Sequence, residues 1–235
     1  PSSAASDVYK RQIWHLTYNK KTGKPIGHYH NSKSKTLAAE DKHANWSAVN
    51  KKLFANDAWP VVEALDVPDD AYDDGAIAAH AVKSLAKLAK KKKPFFLAVG
   101  FKKPHLPFVA PKRYWDRFDP KSIQLAPYQE APIGAPKYAQ HNSSELRSYN
   151  GIPASGPLDL STQRTLIHGY YACVAYIDTQ IGKILDQLEQ DDLAENTIIV
   201  LWGDHGWHLG DHGLWCKHTN YEQATRVPLI IAHPG

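Results

Sequence analysis

Residues 197–218 read TIIVLWGDHGWHLGDHGLWCKH. The first six form an apolar, β-branched run ending in tryptophan, which is the composition of an interior strand. Beyond them, four histidines, two aspartates, a cysteine and a lysine are packed among glycines. A core strand that stops on Asp204-His205 delivers a carboxylate and an imidazole to the edge of a sheet. There the backbone changes direction, and neighbouring side chains need not point apart. In open α/β sheets the loops leaving the carboxyl ends of strands form the binding crevice.

The flanking sequence fits such a sheet. Upstream, Leu166, Tyr170, Val174, Ile177, Ile181, Ile184 and Leu188 form an apolar stripe at helical spacing, with Ser161 as the expected N-cap. DDLAENT (191–197) turns the chain into the strand, and VPLIIAHPG (227–235) supplies another. Further upstream, Ile77, Ala81, Leu85 and Leu88 repeat at helical spacing behind Asp73 and Asp74, read as caps. Pro94 blocks continuation, and PFFLAVGF (94–101) is a short apolar run of the kind buried on both faces. Helices alternating with short apolar strands predict an α/β fold, a mostly parallel central sheet flanked by helices. From Ile13 to about Asp66 the chain is polar and irregular and reads as loops with one short strand. Ser2–Gln12 reproduces the translation of a transposon-based sequencing adapter, so residues 1–12 read as a library remnant.

Composition removes several function classes. Apolar residues at 43% and seven tryptophans suffice for a real core, and a net charge of +4 without an arginine-rich tract argues against a nucleic-acid partner. Lys90–Lys93 lie where a helix ends, where cations complement the helix dipole, so they read as a solvated terminus. No apolar run approaches about 18 residues, so no membrane span is expected. Cys173 and Cys216 lack CxxC partners and define no disulfide framework.

Four residues carry the expected chemistry. Asp204 and His205 can ligate a divalent cation; oxygen donors suit calcium or magnesium, and imidazole suits transition metals. Lys217 is a mobile point charge able to neutralise an oxyanion. His105 sits on GFKKPH (100–105), the exit of the other strand, and can serve as general acid or hydrogen-bond donor. His208 is added as a substrate contact. Taken singly, an Asp-His pair is commonly a turn, a lysine is usually solvated, and a loop histidine is usually idle; it is their shared sheet edge that raises them. A zinc site from His205, His208 and His212 is the alternative metal reading. Between the two units, residues 103–140 are proline-rich but carry Tyr114, Trp115 and Phe118. They are either a surface excursion anchored by its aromatics or a substrate-side loop.

FFLAVGFKKPHLPFVAPKRYWD (95–116) and GYYACVAYIDTQIGKILDQLEQDDLAENTIIVLWGDHGWHLGDHGLWCKHTNYEQATRVPLIIAHPG (169–235), in that order, resemble the arylsulfatase family of the alkaline-phosphatase-like superfamily. Within it they are similar to the iduronate-2-sulfatase branch and its marine bacterial homologues. The resemblance runs from about Leu65 to Gly235. It implies hydrolysis of a sulfate ester, a sugar or sulfated polysaccharide above an aryl or choline sulfate, with calcium as the metal and magnesium as second choice. Position by position, Asp204 and His205 match metal ligands, Lys217 the lysine that grips sulfate, and His105 the histidine facing the leaving oxygen. It also implies a formylglycine nucleophile made by a formylglycine-generating enzyme or equivalent maturase, and a periplasmic or secreted location in a bacterium.

The family nucleophile lies in Cys-x-Pro-Ser-Arg or a similar motif, and neither Cys173 in YACVAY nor Cys216 in WCKH has that context. Asp69-Asp70 and Asp73-Asp74 precede a helix and read as caps rather than as the family's paired metal aspartates. Residues 13–235 are therefore expected to be an internal fragment of a sulfatase catalytic domain. It would lack the nucleophile region and the C-terminal subdomain, and would be inactive alone. A phosphodiesterase or phosphatase of the same superfamily, and a non-catalytic glycan-binding homologue, are the alternatives.

Overall fold

A computed structural model describes residues 9–13, 29–39 and 46–234. The elements run β1 (Tyr9–Ile13), α1 (Ser32–Ala39), α2 (Trp46–Ala55), β2 (Val62–Glu63), α3 (Asp73–Ala89), β3 (Phe95–Val99), β4 (Phe108–Val109), α4 (Lys112–Trp115) and α5 (Ser144–Arg147). Then follow α6 (Leu160–Gln190), β5 (Ile199–Trp202), β6 (His208–Leu209), β7 (Trp215–Cys216), α7 (Glu222–Thr225) and β8 (Leu229–Ala232). The fold class is mixed α/β. Among the described residues the strands form four two-stranded pairs: β1–β3 and β2–β4 parallel, β5–β8 and β6–β7 antiparallel.

Helix α3 buries the expected face: Ile77, Ala81, Leu85 and Leu88 are all buried. Leu97, Val99 and Phe101 at β3 and Ile184 on α6 pack against Ile77 and Ala81. The aspartates at its start are not caps. Tyr72 is the N-cap, and Asp73 and Asp74 occupy the first turn. Acidic groups there still oppose the positive end of the helix dipole, but their side chains point to the turn after β3. The Asp74 carboxylate accepts the backbone N–H groups of Lys102 at 2.9 Å and Lys103 at 3.1 Å, and Asp73 takes the Lys102 ammonium at 2.7 Å.

Helix α6 is capped by Asp159, whose side chain accepts from Thr162 N, and not by Ser161. At about 1.5 Å per residue it is a long rod, touching α3, α4, β4 and β6. Its buried face runs through Gln163, Leu166, Ile167, Ala172, Cys173, Tyr176 and Gln180, while Val174 is exposed. The two glutamines explain the drift from the expected stripe. A count of apolar residues skips them, yet each is buried with its amide bonded, Gln163 to Leu158 O at 3.0 Å and Gln180 to Tyr176 O at 3.1 Å. Asp69 ties this helix to its neighbours by pairing with Arg113, Tyr114 and Lys183. Burial alone would raise its carboxyl; the hydrogen bonds from Lys183 and Tyr114 hold it below the usual range.

Three features differ from the sequence reading. The stretch read as loops contains α1 and α2; Val49 and Leu53, one turn apart, are the buried positions that hold α2. The apolar strands are not covered on both faces. Phe96, Trp202 and Ile231 are 60%, 64% and 62% exposed. Residues 9–12, set aside as a library remnant, are extended as β1 along β3, and residues 1–8 lie outside the described residues. That pairing uses main-chain groups, which any extended segment supplies, so it marks the edge of β3 as open to a parallel strand.

Candidate active site

Three chain segments converge on one indole. The exit of β3 brings His105, the exit of β5 brings Asp204 and His205, and the β6–β7 hairpin brings Lys217. Trp207 lies among them, its ring 5.4 Å from that of His105 and 6.1 Å from that of His205, with Lys217 Nζ 4.9 Å from its centroid. A cation over the indole face is held by the ring quadrupole.

The His105 loop is fixed from beneath. Lys103 is 8% exposed, and its ammonium donates to His105 O at 2.9 Å and Pro107 O at 2.7 Å. Burial pushes its pKa down, and the two carbonyls replace the water it has lost. The imidazole of His105 contacts Leu106 O through Nδ1 at 2.8 Å. A carbonyl only accepts, so Nδ1 carries a proton and Nε2 is the nitrogen turned to the site.

Asp204 and His205 follow β5 directly. His205 Nδ1 contacts Gly206 O at 2.9 Å, leaving Nε2 as the lone-pair nitrogen, 3.6 Å from Asp204 Oδ2. A backbone carbonyl on the far nitrogen is the usual support of a metal-binding histidine, so the pair suits one side of a cation site. Among the described residues no group of three or more His, Cys, Asp or Glu side chains could hold a metal, and the three-histidine zinc reading gains no support. Gly206 is needed at this corner. Its N–H donates to Ala224 O at 2.8 Å, and a Cβ would lie 2.1 Å from Gln223 O. Gly206→Ala is therefore expected to cost about 1–3 kcal/mol, read as a melting temperature lower by several degrees; an unchanged melting curve would show that the corner tolerates a side chain.

The second GDHG has a different task. Residues 210–213 make the hairpin turn, with Gly213 at φ +72 and a Cβ there only 2.8 Å from Gln129 O. Cys216, at φ 72, turns the chain so that Lys217 follows the hairpin into the site. Lys217 Nζ reaches His105 Nε2 at 2.6 Å, although the two are 112 residues apart in sequence. A third partner was not anticipated. Glu145 on α5 presents Oε1 to Lys217 Nζ at 3.0 Å and to His105 Nε2 at 2.8 Å, with His218 Nδ1 3.8 Å from Oε2. Burial pushes its carboxyl up, but hydrogen bonds from His105 and Lys217 outweigh that and bring it down to about 2. Glu145 is thus a carboxylate at neutral and mildly acidic pH.

His208 does not face this space. It is fully buried, its Nε2 is 2.7 Å from Thr219 Oγ1, and burial pushes its imidazole down to about 4. It reaches the site only by holding Thr219. Beside Lys217 opens a cavity of about 420 Å³ lined by Tyr138, Ala139, His218, Thr219, Asn220 and Tyr221. The two ends of the proline-rich stretch are placed differently. Tyr114 and Trp115 are buried anchors, whereas Tyr138 is exposed at the cavity. Neither cysteine reaches the site as a nucleophile; both are buried, and burial pushes both thiols up to about 12.

Of the residues named from sequence, the structure brings His105 and Lys217 into direct contact and sets His205 across Trp207 from them. Trp207 and Glu145 were missed. Trp207 stands inside the stretch quoted first, but an indole among titratable groups reads as core. Glu145 lies in HNSSELRSYN (141–150), which carries no spacing that marks a site.

A sequence model of the sulfatase family matches residues 7–235. Human iduronate 2-sulfatase is 40% identical over 190 residues, covering 78% of this chain and 34% of that protein. A sulfatase of Formosa agariphila is 39% identical over 158 residues, covering 61% of this chain and 28% of its own length. Among solved structures, the phosphonate monoester hydrolase of Agrobacterium radiobacter superposes with a TM-score of 0.61 at 20% identity, over 97% of this chain and 51% of that one; at that identity it speaks for the fold alone. The chain spans about a third of the length of the curated relatives it matches.

Proposed function

The chain belongs to the sulfatase family, and from that premise we propose that the protein containing it hydrolyses sulfuric esters of sugars or sulfated polysaccharides. The observation that carries this reading is the 2.6 Å approach of Lys217 Nζ to His105 Nε2 beside a cavity of sugar-accepting size. Lys217 supplies fixed positive charge to the oxygens of the transferred group. His105 gives the proton at Nε2 to the departing sugar oxygen, while its Nδ1 stays on Leu106 O. Trp207 closes the floor beneath both and keeps water from that side. Tyr138 and Tyr221 offer ring faces, and Asn220 and Thr219 offer hydrogen-bonding groups, to the leaving sugar.

Asp204 and His205 would hold one side of a divalent cation, calcium in preference to magnesium, which when bound polarises the ester and the nucleophile. The nucleophile is a formylglycine supplied by a stretch outside this chain and made by a maturase; the burial of Cys173 and Cys216 supports assigning it to neither. We read residues 13–235 as an internal piece of the catalytic domain, with residues 1–12 as a library remnant. The uncovered apolar faces of β3, β5 and β8 support that reading. A periplasmic or secreted setting fits a polysaccharide substrate; among the described residues no helix is long and apolar enough to cross a membrane.

The test is sulfate release from a sugar sulfate. The complete protein should show it, and the isolated 13–235 stretch should not; metal-dependent turnover by that stretch alone would overturn the division of the site proposed here.

A further inference from the structure

We propose that Glu145 is a positioning residue that keeps His105 competent as the proton donor next to Lys217, by facing both cationic groups with one carboxylate oxygen. The inference rests on the sulfatase reading above but concerns a residue that neither the motif nor the mechanism required.

The geometry raises a conflict that Glu145 resolves. Nδ1 of His105 is committed to Leu106 O at 2.8 Å. Its Nε2 therefore has two states. Bare, it accepts a hydrogen bond from Lys217 Nζ at 2.6 Å, and it has no proton to give. Protonated, the ring is an imidazolium beside an ammonium, and like charges at that distance oppose each other. Only the second state can protonate a leaving oxygen. Glu145 Oε1 stands 2.8 Å from Nε2 and 3.0 Å from Nζ, so one negative charge offsets the repulsion between the two positive ones. In the step itself the Nε2–H proton passes to the oxygen released from sulfur, His105 becomes neutral, and Glu145 then holds Lys217 alone.

The other titratable and charged groups facing the cluster do not substitute for it. His218 lies 3.8 Å from Glu145 Oε2 and His141 stacks edge-on against His218 at 6.0 Å; both can only add positive charge. Lys103 supports His105 from the backbone side. Tyr149 and Cys216 sit close enough for the Glu145 charge to push their pKa values further up, so both stay neutral. His205 lies against the ring of Trp207, 6.1 Å between centroids, and Asp204 is beside His205. Among the described residues Glu145 is the one carboxylate within ion-pair distance of His105 or Lys217.

The test uses Glu145→Gln and Glu145→Asp in the complete protein. With a sugar sulfate, Glu145→Gln should lower kcat/KM by about tenfold or more, less than the 10²–10⁴-fold expected from losing the general acid itself. The pH above which that rate falls should move down, since removing an adjacent opposite charge disfavours the imidazolium. With a nitrophenyl sulfate, whose leaving group needs little help, the loss should be clearly smaller. Glu145→Asp should recover part of the sugar-sulfate rate. Equal losses on both substrates with an unmoved pH profile would overturn the proposal and make Glu145 a packing residue. A second readout is independent of turnover: carbethoxylation of His105, which is 40% exposed, followed by mass spectrometry across pH. Glu145→Gln should become reactive at lower pH than the parent. Coincident curves would sink the proposal even if the parent hydrolyses sulfate. A parent with no sulfatase activity but a shifted curve would sink the sulfatase reading and leave the role of Glu145 standing.

Discussion

Asp204→Ala is expected to cut sulfate release by the complete protein at least 10²–10³-fold while leaving its melting temperature within a few degrees. The side chain of Asp204 is 86% exposed, and its contacts are local: Oδ1 accepts from His205 N at 3.0 Å and Oδ2 lies 3.6 Å from His205 Nε2. Among the described residues both contacts are to its neighbour in sequence. A carboxylate held out at a strand exit with no longer-range partner there matters for what it binds. Losing a ligand to a cation that polarises the ester removes several kcal/mol of transition-state stabilisation, and each 1.36 kcal/mol is a factor of ten. Calcium affinity, measured by calorimetry on the same variant, should fall with the rate. If affinity and rate both stay at the parent level, Asp204 is not a ligand.

The second large effect separates the two groups that meet at 2.6 Å. His105→Ala should lose about 10²–10⁴-fold in kcat/KM on a sugar sulfate, the range of general acid catalysis, and far less on a nitrophenyl sulfate. Lys217→Ala should depress both substrates by similar factors, because the sulfate it contacts is common to them. Since the two side chains touch, the double variant should lose less than the product of the single losses. Equal losses for His105→Ala on the two substrates would leave it a positioning group rather than the acid.

The fold was legible where one physical signal dominated. Ile77, Ala81, Leu85 and Leu88 announce α3 because the buried face is purely apolar, and TIIVLW announces β5 because a continuous apolar run can hardly be a loop. Where burial and polarity part company, the signal fails. Gln163 and Gln180 sit in the buried face of α6 with their amide nitrogens hydrogen-bonded, so the apolar stripe points a little away from the true contact surface. Among the described side chains of α2, Val49 and Leu53 are the buried ones, too few to register as a period. Asp73 and Asp74 look like caps because caps and first-turn acids share residue types; their reach to Lys102 and Lys103 depends on where β3 ends.

The site divides in the same way. Lys217 and His105 could be named because each leaves a strand in a distinctive loop, but their contact spans 112 residues and only the folded chain supplies it. Glu145 could not be named at all. Its role comes from α5 lying against β7, where Trp215 N donates to Ser143 Oγ at 3.2 Å, and no local pattern encodes that. His208 was expected as a substrate contact for the opposite reason. Histidine among aspartates and glycines suggests exposure, yet this one is fully buried against Thr219.

The most direct measurement compares matched esters in the complete protein. A sugar carrying sulfate and the same sugar carrying phosphate at the same position would be offered separately, with calcium present, and kcat/KM determined for each. A sulfate-hydrolysing site built on Lys217, His105 and the Asp204–His205 pair should favour the sulfate ester by orders of magnitude. It should also lose that activity on chelation and regain it when calcium is restored. Preferential cleavage of the phosphate ester, or binding of the sulfated sugar with no release of sulfate, would contradict it.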